Sequence, residues 1–123
     1  MANRVEKFEN LEAWQIAIDV AVMVYEVTSK YPKSELYSLT NQMRRASSSI
    51  SANIAEGFGR YNTKEKAQFY KIANGSLLEL KSFCYLSKRL SYIDDNQLEA
   101  LLSVITSSQK LTNALIRSQK ERL

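Results

Sequence analysis

The sequence contains no histidine, one cysteine (Cys84), one proline (Pro32) and only three glycines (Gly57, Gly59, Gly75). Without histidine there is no Ser-His or Cys-His nucleophile pair, and a single thiol builds no Cys/His metal cage within one chain. The di-iron bundle pattern, which takes a Glu-x-x-His from two helices, is excluded for the same reason. A lone cysteine supports no disulfide framework, which suits a reducing compartment. Scarce glycine and proline leave little punctuation, so the elements must be long, and long elements favour helices. Apolar runs are also short. The longest, "VAVMVY" (Val20–Tyr25), is far below the roughly 20 residues of a membrane span. The start, "MANRVEKFENLEAW", lacks the apolar segment and cleavage site of a signal peptide, so a soluble cytoplasmic protein with no membrane partner is expected.

What remains is an ordinary globular composition in a chain of 123 residues, 45% hydrophobic and 24% charged, enough for one domain spanning 1–123. The net charge is +4 and the sequence pI is about 9.2. Residues 1–61 carry seven basic and seven acidic side chains, whereas residues 62–123 carry ten and six, so the surplus is C-terminal. Such a balance permits contact with nucleic acid; it is equally what solvated, lysine-rich helices show.

Apolar periodicity predicts four helices over about 11–30, 35–57, 63–90 and 95–118, joined by short turns, and hence an all-α, up-down-up-down antiparallel four-helix bundle. Ser34 is expected to cap the second helix, and Gly57 and Gly59 to end it in left-handed conformation. Asn62 with Glu65 and Asp94 with Gln97 read as capping boxes for the third and fourth helices. In the first helix the polar residues Glu12, Gln15, Asp19 and Glu26 fill one narrow sector. The apolar remainder is wider than one core face needs, which predicts a second covering surface.

The segment "QMRRASSSISANIAEGFGR" (Gln42–Arg60) is the most distinctive. Its core line is Leu39, Met43, Ala46, Ile50, Ile54 and Gly57. Ser47, Ser51 and Ala55 form a small-residue line suited to close helix approach. A polar line of Gln42, Arg45, Ser49, Asn53, Glu56 and Arg60 completes it. The leading expectation is a structural polar seam of Arg45, Ser49, Asn53 and Glu56, in which Ser76 and Glu79 of the third helix satisfy Arg45 and Asn53. Phosphate recognition is the second reading, and catalysis by Glu56 or Glu79 a distant third. No activated nucleophile, metal ligand set or phosphate loop accompanies those carboxylates. No catalytic residue, metal or cofactor is assigned.

The segments "FENLEAWQIAIDV", "YPKSELYSLTNQMRRASSSISANIAEGFGR", "FYKIANGSLLEL" and "LSYID" together resemble the bacterial four-helix-bundle family of proteins encoded in 23S ribosomal RNA intervening sequences. The pattern falls on Arg44, Arg45, Ala46, Ser49, Ile50, Asn53, Ile54, Ala55, Glu56, Gly57, Arg60, Gly75, Ser76, Leu77 and Glu79. The resemblance implies a homo-oligomer, a ring-like pentamer. It also points to a related fold, the accessory protein of diversity-generating retroelements, which associates with nucleic acid. Five copies would raise the charge from +4 to about +20. The expected function is therefore a non-enzymatic, electrostatic RNA- or DNA-binding module, with Arg44, Arg60, Lys64, Lys66, Lys71, Lys81, Lys88 and Arg89 as candidate phosphate contacts. Tyr61, Tyr70 and Tyr85 can stack on bases, although tyrosines at helical spacing usually pack. The alternative is a structural scaffold or protein–protein interaction module.

Overall fold

The computed structural model describes residues 5–121. A 3₁₀ turn at Phe8–Asn10 leads into α1 (Glu12–Thr28), and a second at Lys33–Glu35 precedes α2 (Leu39–Phe58). Helices α3 (Thr63–Arg89) and α4 (Asp95–Lys120) follow, and no strand occurs among the described residues. Each helix packs on the next in sequence, and α1 also packs on α4, which closes the antiparallel bundle.

The start of α4 carries the expected capping box, and that of α3 the Asn62 cap without a reciprocal bond from Glu65 among the described residues. The Asn62 carboxamide oxygen accepts from the N–H groups of Lys64 and Glu65, at 2.8 and 3.2 Å. At α4 the capping box is complete. Asp94 accepts from the Gln97 N–H, and the Asp94 N–H donates to the Gln97 side chain, at 2.8 and 2.9 Å. The start of α2 differs from expectation. Ser34 lies within the 3₁₀ turn and caps nothing; the helix begins at Leu39, whose N–H reaches the Glu35 carboxylate at 3.4 Å.

The glycines also differ. Gly57 is an interior residue of α2, and Gly59 has φ −77°, so neither is left-handed. The left-handed cap is at Ser91, φ 63°, after α3. There the Ser91 N–H bonds the Lys88 carbonyl and the Tyr92 N–H bonds the Ser87 carbonyl, a Schellman arrangement built without glycine.

Val20, Val24, Met43, Ile50, Leu77 and Ile105 are among the fully enclosed side chains at the centre. The apolar surplus of α1 is largely absorbed within the chain. Trp14 meets Phe8 edge-on at 5.3 Å, and α1 lies against both α2 and α4, leaving Val22 and Tyr25 about half-exposed. Helix α3 is different. Ile72, Leu78, Tyr85, Leu86 and Leu90 remain 44–54% exposed on its outer side.

Candidate functional site

The residues singled out in the sequence meet at the seam between α2 and α3. Gly57 permits that seam. A Cβ built on it would stand 2.8 Å from the Tyr70 ring and 3.0 Å from Phe69, so glycine serves close approach rather than chain reversal. Midway along the seam the Ser76 hydroxyl donates to Ser49 Oγ at 2.9 Å. The Asn53 amide donates to the Ser49 carbonyl and hydroxyl, at 2.8 and 2.9 Å. This part of the expected polar network therefore forms, with Ser76 reaching Ser49 rather than Asn53.

Arg45 and Glu79 lie outside it. Both are exposed, and neither makes an ion pair or side-chain hydrogen bond among the described residues. With Gln42, Ala46, Ser49 and Ser76 they line an open polar groove of about 360 Å³. Glu56 instead pairs with Arg60 at 3.5 Å on the surface, within the same helix. Such an exposed pair contributes about 0.2–0.5 kcal/mol.

The two adjacent arginines thus have different surroundings from those expected. Arg44 is the half-buried one. Its Nε donates to Thr28 Oγ1 at 3.0 Å and its guanidinium covers the Tyr25 ring at 4.8 Å, tying α2 to α1. Adjacent helical residues diverge by about 100°, and only the position of α1 decides which of the two is held.

Other candidate cations are also held internally. Lys66 Nζ donates to the Phe58 carbonyl at 2.7 Å, closing the C-terminal end of α2, where a cation meets the free carbonyls favourably. Arg60 lies over Phe69 at 4.9 Å, and Lys88 pairs with Asp95 at 3.3 Å across the α3–α4 turn. Lys64, Lys71 and Arg89 are exposed on α3, and Lys81 is half-buried there. None of these four is ion-paired among the described residues. Among the tyrosines, Tyr70 is enclosed and has no face for a base, whereas Tyr61 is fully exposed and Tyr85 half-exposed.

Reactive groups are few. Burial pushes the Cys84 thiol up to about 12, so it stays protonated and inert at neutral pH. Burial raises Tyr31, and the hydrogen bond that Tyr92 donates to the Glu35 carboxylate at 2.7 Å raises Tyr92. No cluster of three or more Cys, Asp or Glu side chains that could hold a metal occurs among the described residues. No described helix is long and apolar enough to cross a membrane.

The fold and the seam define an all-α bundle whose signature polar residues join two adjacent helices. A family model for 23S rRNA-intervening sequence proteins matches residues 9–114, and the chain belongs to that family. Among solved structures, the chain is similar to a protein of unknown function from the S23 ribosomal protein family of Bacteroides thetaiotaomicron. That match has a TM-score of 0.77 and 23% identity, and covers 85% of this chain and 95% of the other. At this identity the likeness bears on fold. Comparison with curated proteins finds none that matches. The family is one of unknown function, and it indicates no enzymatic activity.

Proposed function

We propose that this protein is a non-enzymatic, self-assembling bundle of the cytoplasm that binds the phosphate backbone of RNA or DNA. The observation that supports it is the outer face of α3, where Ile72, Leu78, Tyr85, Leu86 and Leu90 stay half-exposed beside the unpaired cations Lys64, Lys71 and Arg89. An apolar strip of that extent suits contact with further copies. Gly75 adds to it, since a Cβ there would meet nothing within 4 Å and its absence leaves the exposed backbone open to close approach by another helix. A ring of about five copies is the assembly we favour; it repeats the cations and multiplies individually weak phosphate contacts.

The binding set is smaller than the sequence suggests. Arg44, Lys66 and Lys88 are engaged in holding the bundle together, and Arg60 is divided between Glu56 and Phe69. Lys64, Lys71 and Arg89 carry the phosphate contacts of α3, with half-buried Lys81 as a lesser contributor. Those internal commitments favour the rival reading, a scaffold or protein-interaction module.

Fluorescence anisotropy of labelled RNA and DNA across a salt series separates the two. Affinity that falls steeply with salt supports phosphate contact. No binding even at low salt leaves the scaffold.

A further inference from the structure

Helix α4 contributes none of those candidate cations, yet its outer face is basic over most of its length. From Ala100 to Lys120 it contains no carboxylate. Thr106, Lys110, Asn113, Arg117 and Lys120, at alternating spacings of four and three, fall on one side and are all exposed. Lys110, Arg117 and Lys120 make no ion pair or side-chain hydrogen bond among the described residues. The strip is about 21 Å long at 1.5 Å per residue.

The topology extends it. Lys88 meets Asp95, which sets the register of α3 against α4. At equal rise on antiparallel helices, Lys71 is then roughly level with Thr112 and Lys64 with Gln119. Lys64 and Lys71 therefore lie toward the same end of the bundle as Arg117 and Lys120, whereas Arg89 lies at the other end. Helix α1, on the other flank of α4, carries Glu12, Asp19 and Glu26 and no basic residue. A polyanion is thus drawn to the α3–α4 side and repelled from the α1 side.

We propose that the α4 strip, centred on Lys110, Arg117 and Lys120 and continued by Lys64 and Lys71, is a docking surface for the sugar-phosphate backbone of a nucleic-acid duplex. This rests on the nucleic-acid reading above and gives it a location. A duplex is favoured over a single strand because α4 has no aromatic residue and so no platform on which unpaired bases stack. Asn113 between the cations and Thr106 at one end supply neutral donors, a pattern suited to phosphate oxygens without base readout.

The test compares the full chain with the triple variant Lys110→Gln, Arg117→Gln, Lys120→Gln, and with Lys30→Gln, Lys33→Gln at the opposite end. Glutamine keeps helix propensity, and all five positions are exposed, so circular dichroism and melting should match the parent. The probes are a DNA duplex, an RNA duplex and a single strand, each about 20 nucleotides long, titrated from about 50 to 200 mM salt. The triple variant is expected to bind DNA duplex at least tenfold more weakly at low salt, with a log–log salt slope shallower by about 2.7. The Lys30/Lys33 variant should keep the parent slope, and the single strand should bind the parent more weakly than either duplex. Which duplex loses more affinity tells DNA from RNA.

A triple variant with unchanged affinity and slope overturns the α4 site while the nucleic-acid reading stands. A preference for single strand also overturns it. If the parent binds no probe, both fall. A triple variant that keeps its duplex affinity but changes its assembled mass makes the strip a self-association face and overturns the proposal.

Discussion

The ring of Tyr70 lies against the backbone of Gly57, so close that a Cβ on Gly57 would stand 2.8 Å from its Cε1 atom. Tyr70 is only 1% exposed and has no room to withdraw. This contact sets how near α2 and α3 approach each other, and the polar seam and the Arg45–Glu79 groove lie farther along the same pair of helices.

Gly57→Ala is accordingly expected to destabilise the bundle, although alanine is the better helix former by about 1 kcal/mol. With Tyr70 and Phe69 both at 3.0 Å or less, overpacking falls in the upper part of its usual range, about 2–3 kcal/mol, so a net loss of about 1–2 kcal/mol should appear in urea unfolding. A neutral or stabilised variant would mean that the close approach is not needed.

Ser91 has the opposite outlook. Its φ of 63° belongs to the left-handed region, where a Cβ costs about 1–2 kcal/mol. Ser91→Gly relieves that cost while adding about 0.5–1 kcal/mol of chain entropy in the unfolded state. A gain of about 0.5–1 kcal/mol is expected by thermal or denaturant unfolding.

Arg44 and the α3 lysines should divide stability from binding. Arg44→Gln removes the bond to Thr28 and the contact with the Tyr25 ring, and is expected to cost about 1–2 kcal/mol while leaving duplex affinity almost unchanged. Lys64→Gln with Lys71→Gln should do the reverse, weakening binding several-fold with no change in melting. Urea unfolding and anisotropy on the same samples read both quantities.

The buried thiol gives a pH dependence with a definite sign. Burial raises Cys84 in the folded protein from 9.0 to about 12, so between these values the unfolded chain loses its proton first. The protection is complete below about pH 9 and is lost as pH climbs toward 12, so stability should decline over that window. Tyr31 and Tyr92, both raised, act in the same direction. At pH 8 Cys84 should react with an alkylating reagent only after denaturant is added, which quantitative thiol labelling checks. A Cys84→Ala variant should show a smaller alkaline loss.

The four helices were legible because apolar spacing of three and four persists through each of them, and because Asn62 and Asp94 mark two starts chemically. Ser34 misled because a serine after proline resembles a cap, while the chain spends Lys33–Glu35 on a 3₁₀ turn first. Gly57 misled because a helix-terminal glycine and a packing glycine look alike in sequence; the ring of Tyr70, thirteen residues on, distinguishes them. A helical wheel separates Arg44 from Arg45 but does not say where α1 lies, so which of the two is held becomes visible only in the fold. The α4 strip is not legible in the sequence for a related reason. Three cations spread over eleven residues form no motif, and the proposal for them rests on the carboxylate-free stretch around them and on the α3 lysines that antiparallel packing brings alongside.

Copies of this chain are proposed to assemble, and the assembly to hold nucleic acid through its phosphates. Sedimentation velocity with a fluorescent duplex of about 20 base pairs, at about 50 and 200 mM salt, reads both parts in one measurement. A species several chains in mass is expected, carrying the duplex at the lower salt and releasing it at the higher while remaining assembled. A monomer that leaves the duplex behind at both salt concentrations would contradict it.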